Sequence, residues 1–266
     1  MHILRFIRKI YQYFVDKPLQ TGTVLQDSYQ VLDLIGTGSY GIVYLCKDLK
    51  TMENKGLKQL RPSKQRKRNE VDIFNKEIAV LRMLEHKNMP TLYESFSHNG
   101  NFFYVMSYME GDNLDKQIFL KKKTFNEQES LLFLAHLLVL IDYLHKRDIY
   151  HLDLRIPNIL LKNDEPFLID FGLAKHAASN DPVYSHKAIM EMKLQDYYDL
   201  GDILLYLLYT TYSSKSKKAL PWTEELSLAD ETVHLLKRLL RLLRPYSNPR
   251  EIQADLHAAI KASGGY

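Results

Sequence analysis

The chain has 266 residues, of which 45% are hydrophobic, which is enough for two domains with separate cores. The net charge of +4 is modest and no nucleic-acid-binding module is recognisable, so we expect no nucleic-acid partner. Cys46 is the only cysteine, which excludes an intramolecular disulfide, and no apolar run is long enough to cross a bilayer.

Residues 1–27 form a basic extension. A helix over residues 1–17 would place its apolar residues on one side and most of its cations on the other, and Pro18 would end it. Two interpretations stay open, namely a helix packed on the body of the protein and a helix lying on an anionic membrane. Because no secretory signal pattern is present, we expect a cytoplasmic protein, with peripheral contact at the inner membrane face through residues 1–17 as the additional possibility.

A glycine-rich motif follows the first predicted strand. Residues 29–35 alternate as a strand and lead into the glycine motif at residues 36–41, after which β-branched and aromatic residues continue. In a dinucleotide-binding fold the third glycine would begin a helix, whereas this pattern predicts strand, turn and strand. Such a turn favours a flap over a triphosphate, because glycines let backbone N–H groups approach the phosphates.

A lysine and a glutamate form the next candidate pair. Lys58 lies on a predicted strand and shares a face with Gly56. Residues 69–85 have the periodicity of a helix, and Glu77 lies within its apolar stripe. An inward-facing carboxylate is costly without a partner, and Lys58 is the natural partner. The apolar residues of this stripe are Phe74, Leu81 and Leu84.

Residues 131–144 predict a buried helix, and residues 202–209 predict a second, central one. Between them, residues 151–158 read HLDLRIPN, and Asp170-Phe171-Gly172 follows. Strands at 159–161 and 166–169, joined by a polar turn at 162–165, would return Asp170 beside Asn158. The side-chain oxygens of these two residues could then bind Mg²⁺, and the ion could connect them to phosphate oxygens.

On these motifs the chain resembles Hanks-type (eukaryotic-like) serine/threonine protein kinases, in particular the small soluble bacterial ones, from about residue 29 to about residue 260. The resemblance implies an α+β, bilobal fold with a β-rich N-lobe at 28–106, a hinge at 107–111 and a mainly helical C-lobe at 112–266. It also implies ATP and Mg²⁺ as cofactors, with Mn²⁺ as an alternative metal, and a protein substrate with a Ser or Thr acceptor.

The resemblance implies a role for individual residues. Asp153 would accept the substrate hydroxyl proton, Asn158 and Asp170 would bind the metal, and Lys58 would contact phosphates while paired with Glu77. Arg155 stands where the family has a lysine that steadies the transferred phosphate, and Asp196 resembles the helix-borne aspartate that braces the catalytic loop. Besides Lys58, the implied nucleotide-binding residues are Ile35, Gly36, Thr37, Gly38, Ser39, Tyr40, Gly41, Ile42, Val43, Gly56, Met106 (as gatekeeper), Ser107, Met109 and Leu160.

Besides Arg155, three departures from the family pattern matter. Leu152 replaces the arginine that in this family binds the phosphate of a phosphorylated activation loop, so we expect activity without such phosphorylation. No Ala-Pro-Glu follows Asp170, which leaves substrate class open, and Gly56 replaces an alanine, which predicts slightly looser packing. The favoured function is a Ser/Thr protein kinase, and the alternatives are a small-molecule or glycan kinase of the same fold and a pseudokinase scaffold.

Overall fold

The structure is a computed structural model that describes residues 15–38, 40–178, 183–213 and 220–264. The chain divides into two compact units, Met1–Met109 and Glu110–Tyr266. Within the described residues the first contains an antiparallel sheet and one long helix, and the second is mainly helical, so the predicted α+β class is confirmed. The finer division into an extension, two lobes and a hinge at 107–111 stays a prediction.

The sheet of the first unit has six strands in the order β1-β2-β3-β4-β6-β5, and all neighbours are antiparallel. The predicted strand, turn and strand around the glycine motif are present as β2 and β3. The strands are β1 (Val24–Leu25), β2 (Tyr29–Thr37), β3 (Gly41–Asp48), β4 (Asn54–Leu60), β5 (Leu92–His98) and β6 (Asn101–Ser107).

One face of this sheet forms the core of the first unit, because alternate residues of its central strands are apolar and buried. Helix α1 (Arg68–Leu81) belongs to the same unit, and its Phe74 ring lies 5.2 Å from the ring of Tyr104. The predicted helix at 69–85 is therefore correct in type but wrong at its C-terminal end. The chain turns at Arg82, although Leu84 beyond the helix is still buried.

The second unit is built around the buried helix α3, which includes the predicted residues 131–144. Helix α4 is continuous and contains Asp196 and most of the predicted segment 202–209, since Tyr209 begins a short 3₁₀ turn. The helices are α2 (Leu114–Phe119), α3 (Glu127–His145), α4 (His186–Leu208), α5 (Trp222–Glu225), α6 (Asp230–Leu239) and α7 (Pro249–Ser263).

The described part of the second unit also contains two small sheets. One has the order β10-β9-β7 and the other pairs β11 with β8. Among the residues that the structure describes, no helix is both long and apolar enough to span a membrane. The short strands are β7 (Asp112–Asn113), β8 (Ile149–Tyr150), β9 (Ile159–Lys162), β10 (Glu165–Leu168) and β11 (Lys175–His176).

The N-terminal extension is described from Val15 onward. The rest of the helix predicted over residues 1–17 lies outside the described residues, so its membrane contact stays a prediction. From Val15 the chain lies against the first unit, where the Leu19 N–H donates to the Tyr44 hydroxyl at 3.0 Å and the Leu19 side chain packs on the core. These last residues of the extension are therefore packed on the protein.

Candidate active site

Most candidate residues of the first unit's strands share one face of its sheet. Val43 pairs with Lys58 across β3 and β4, and Lys58 pairs with Tyr104 on β6. Gly56 pairs with Met106 in the same way. Because directly paired residues point to the same side of a sheet, all five lie on the face opposite the core.

The predicted ion pair between Lys58 and Glu77 is present on this face. Lys58 Nζ lies 2.6 Å from Glu77 Oε1, and the side chains are only 9% and 3% exposed. The Tyr104 hydroxyl donates to the same Oε1 at 3.0 Å. Tyr104 was not among the predicted site residues, although its place in the alternating strand opposite Lys58 could have indicated it. A buried charge pair with an additional donor is held in a fixed geometry.

Two glycines leave room for neighbouring site residues. A Cβ at Gly41 would lie 2.9 Å from Lys58 Cε and 3.0 Å from the Gln59 carbonyl oxygen, so the lysine occupies the space of a missing side chain. A Cβ at Gly56 would lie 3.3 Å from Met106 Cε. Met106 thus lies close to the space that glycine leaves, and the slightly looser packing expected over the base stays a prediction.

The glycine-rich turn connects β2 and β3, and its Gly38 N–H donates to the Gly41 carbonyl at 2.9 Å. Ser39 lies outside the described residues. Ile42 is wholly buried in the core face, opposite to Val43, so its side chain is a core residue and the prediction that it lies at the nucleotide is corrected. The remaining predicted residues of the turn are half-buried or exposed, namely Ile35, Gly36, Thr37, Gly38 and Tyr40.

The predicted hinge begins at Ser107, the last residue of β6. Ser107 exchanges hydrogen bonds with Thr91: its N–H donates to the Thr91 carbonyl at 2.8 Å, and its hydroxyl accepts from the Thr91 N–H at 3.0 Å. The Ser107 hydroxyl also lies 3.5 Å from the Met109 sulfur. Leu160 belongs to the second unit, where it is buried on β9 and pairs with Asn113 of β7.

Asp153 and Asn158 are in direct contact in the second unit. The Asn158 amide nitrogen donates to the Asp153 carboxylate Oδ2 and to the Asp153 carbonyl, each at 2.9 Å. Arg155 Nε lies 3.4 Å from the same Oδ2, and its side chain is 60% exposed. The carboxylate of Asp153 is thus oriented by the buried amide of Asn158 and lies near the exposed guanidinium of Arg155.

The predicted hairpin brings Asp170 back towards Asn158. Strands β9 and β10 pair directly, and Asn163 and Asp164 form a two-residue turn with φ of 51° and 61°, which is typical of tight hairpins. The turn is therefore shorter than the predicted 162–165. The Ile169 N–H donates to the Asn158 carbonyl at 2.9 Å, so Asp170 follows immediately after a bond to Asn158.

A buried carboxylate on α4 holds the backbone before Asp153. Asp196 is fully buried, and its two oxygens accept the N–H groups of His151 at 3.0 Å and Leu152 at 2.7 Å. The His145 ring nitrogen lies 2.8 Å from the same carboxylate. Leu152 adopts a left-handed φ of 63°, which costs energy in a non-glycine residue and needs such support. The expected bracing by Asp196 is confirmed.

Two titratable groups near Asp153 have shifted pKa values. Burial lowers the pKa of His151, which favours the neutral ring, and its ring nitrogens have no hydrogen-bond partner among the described residues. Burial raises the pKa of Asp199 to about 6, although its carboxylate accepts from the Leu154 N–H at 3.3 Å and from Gln195 at 2.7 Å. Both groups are near the catalytic candidate, but neither was anticipated as a perturbed group from the sequence.

Comparison with known protein families matches the protein kinase domain over residues 29–198. A probable serine/threonine-protein kinase of Bacillus subtilis (strain 168), YbdM, is 39% identical over 259 residues, which cover 97% of this chain and 98% of that protein. The chain belongs to the protein kinase family. The resemblance to a bacterial Hanks-type kinase is thereby confirmed.

More distant relatives match only a part of this kinase. Calcium-dependent protein kinase 4 of Plasmodium berghei is 32% identical over 161 residues, which cover 59% of this chain and 30% of that protein. CBL-interacting protein kinase 28 of Oryza sativa subsp. japonica is 25% identical over 211 residues, 73% of this chain and 48% of that protein. The chain therefore spans nearly all of the Bacillus relative but less than half of these two larger proteins.

The kinase has apolar packing where the family's arginine would stand. Leu152 and Tyr184 pack against a buried cluster. The cluster consists of Tyr150, one residue that follows β11 and two residues of α4. Strand β11 pairs with β8, and the Ala177 N–H donates to the Asp148 carbonyl at 2.9 Å. The other cluster members are Ala177, Ile189 and Met192. Apolar contacts and backbone hydrogen bonds thus hold Ala177, Tyr184 and the first turns of α4 in place.

Proposed function

We propose that this kinase transfers the γ-phosphate of ATP to Ser or Thr hydroxyls of a protein substrate with Mg²⁺. The observation that carries the proposal is the arrangement of Asp153, Asn158 and Asp170 in the second unit. The Bacillus relative, whose name describes a probable serine/threonine-protein kinase, supports the choice of acceptor because it matches over nearly its whole length.

In the second unit, Asp153 is proposed to orient and deprotonate the substrate hydroxyl. Because the Asn158 amide nitrogen donates to Asp153, its amide oxygen is the atom that would ligate a metal. The carboxylate of Asp170 would be the second protein ligand. This oxygen donor set suits Mg²⁺ or Mn²⁺, and the ion, when bound, would neutralise charge on the phosphate oxygens. Arg155 is proposed to steady the transferred phosphate.

In the first unit, Lys58 is proposed to contact ATP phosphates while Glu77 and Tyr104 fix its direction. The backbone N–H groups of the glycine-rich turn would approach the same phosphates, because the glycines present no side chains there. The adenine base would lie on the sheet face that carries Val43, Gly56 and Met106, with further contacts from Ser107 and Met109 of the predicted hinge. Leu160 of the second unit is proposed as a nucleotide contact on the family resemblance alone.

The decisive experiment is incubation with [γ-³²P]ATP, Mg²⁺ and a generic protein substrate, followed by identification of the labelled amino acid. Asp153→Ala should lower turnover by about 10²- to 10⁴-fold, the contribution of a general base, while nucleotide binding is kept. Asp170→Ala should also lose Mg²⁺-supported nucleotide binding. Asp164→Asn, in the exposed hairpin turn, is the matched control and should behave as wild type.

The outcome separates the alternatives. Label on phosphoserine or phosphothreonine supports the proposal, whereas label on a sugar or another small molecule from an extract would favour the small-molecule kinase. A wild-type protein that binds ATP but transfers no phosphate would be a pseudokinase scaffold. Undiminished turnover by Asp153→Ala would contradict the assigned chemistry.

Residues 1–17 are proposed to contact an anionic membrane from the cytoplasmic side, on the strength of their basic and amphipathic pattern. The contact would be made by the part that precedes Val15, because Asp16 is buried against the kinase. Sedimentation of the full chain with phosphatidylglycerol vesicles should decrease as salt is added. No sedimentation at low salt would leave the packed helix as the explanation.

A further inference from the structure

The segment after β4 holds the glycine-rich turn at three points. Arg61 Nε donates to the Gly38 carbonyl at 2.8 Å, and the Arg61 N–H donates to the Tyr40 carbonyl at 3.2 Å. The Lys64 ammonium lies 3.9 Å from the centre of the Tyr40 ring. These contacts fix the backbone of the turn on both sides of its tip.

Asp16 of the N-terminal extension holds the same segment. One of its carboxylate oxygens accepts from Arg61 Nη1 at 3.1 Å and from the Ser63 hydroxyl at 2.9 Å, and the other accepts from the Ser63 N–H at 2.8 Å. Its side chain is only 3% exposed, and that of Arg61 is 22% exposed. A buried carboxylate with three donors has one preferred position, so it orients the groups that bind it.

Arg61 connects the extension to the turn because its guanidinium has several donors in a rigid plane. Nη1 donates to Asp16 while Nε donates to Gly38, so the two bonds constrain each other. A lysine has a single ammonium on a flexible stem and cannot bridge both acceptors in this way. The position of the Asp16 carboxylate is therefore coupled to the glycine-rich turn through the side chain of Arg61.

We propose that Asp16 is a positioning residue for the glycine-rich turn and, through Arg61 and the Gly38 carbonyl, sets the affinity for ATP. The inference rests on the proposed function only in taking ATP as the ligand of the turn. A residue that merely fastened the extension would affect nucleotide binding only as much as any equal loss of stability does, whereas a positioning residue weakens nucleotide binding beyond that loss.

The test measures the KM for ATP, kcat and the hydrogen exchange of the peptide containing residues 36–41 in the full-length protein. Asp16→Asn keeps the size of the side chain but turns an amide nitrogen or a neutral oxygen towards Arg61. Its KM for ATP should rise about threefold to tenfold with kcat within about twofold, as expected for modest coupling between sites. Exchange at the turn should become faster, because the Gly38 N–H bond to Gly41 loosens.

Two further variants make the test specific. Arg61→Lys should resemble Asp16→Asn, and the double variant should be no worse than the stronger single variant, because the two residues act as one unit. Tyr44→Phe is the matched control, since it removes the hydroxyl that accepts the Leu19 N–H and donates to Gln59 Oε1, and so loosens the same extension without removing a hydrogen bond of Arg61. It should leave the KM for ATP and the exchange of the turn unchanged.

The inference is overturned if Asp16→Asn folds with wild-type KM and wild-type exchange, or if Tyr44→Phe raises the KM equally at a matched loss of thermal stability. Should Asp16→Asn fail to fold, wild-type values in Arg61→Lys would overturn it as well. If the wild type binds no ATP, the proposed function fails, whereas the exchange of residues 36–41 still decides whether Asp16 holds the turn.

Discussion

Replacement of Asp196 by asparagine tests how the backbone before the catalytic candidate is held. In the wild type, each carboxylate oxygen accepts one backbone N–H group, from Leu152 at 2.7 Å and from His151 at 3.0 Å. Asparagine has one oxygen and one nitrogen donor at these two places. Whichever way the amide is oriented, one backbone N–H group loses its acceptor.

The expected cost follows from this count. A buried donor without a partner costs about 1 to 3 kcal/mol, and the bond that remains loses its charge-assisted part, about 1 kcal/mol more. We therefore expect the free energy of unfolding to fall by about 2 to 4 kcal/mol. Leu152 would then relax from its left-handed conformation, and displacement of the adjacent Asp153 should lower kcat about tenfold or more.

Urea unfolding followed by the fluorescence of Trp222 measures this cost, because Trp222 is the only tryptophan and lies in the second unit. Asp202→Asn, an exposed position of the same helix, is the control and should change stability by less than about 0.5 kcal/mol. A loss below about 1 kcal/mol in Asp196→Asn, together with unchanged kcat, would refute the reasoning.

The remaining predictions concern pH and phosphorylation. Burial raises the pKa of Asp199 to about 6, so the folded state binds the proton of this carboxyl more tightly than the unfolded state does. The contribution of this proton to the free energy of unfolding is complete below about pH 4 and is lost as pH rises through about 6. Asp199→Asn should remove about 1 kcal/mol of that pH dependence, a value discounted for partial exposure and checked by thermal midpoints at pH 4.5 and 7.5. Leu152 and Tyr184 pack on an apolar cluster, so we expect activity not to depend on phosphorylation near them. The triple variant Ser179→Ala, Tyr184→Phe, Ser185→Asn should therefore keep most activity towards an added substrate in a kinase assay. Loss of activity both in this variant and after phosphatase treatment of the wild type would contradict the prediction.

Local patterns predicted much of the molecule because they depend on neighbours in the chain. The β9–β10 hairpin follows from a polar turn between apolar strands, and the partner of Glu77 follows from the cost of an inward charge. Asp16 and Arg61 could not be paired in this way, since nothing in their own neighbourhoods shows that segments 45 residues apart meet. Ile42 was misplaced for a different reason, because the family motif outweighed the alternation that assigns it to the core.

The cap of helix α4 affects how phosphate on this kinase should be interpreted. Ser185 precedes the helix, and its hydroxyl accepts the Ala188 N–H at 3.2 Å. A phosphate on this hydroxyl would bring negative charge to the positive end of the helix dipole, where it is stabilising. Autophosphorylation at Ser185 would thus be tolerated by the fold, and a phosphopeptide from this site in mass spectrometry would record accessibility to a kinase and not a switch in activity.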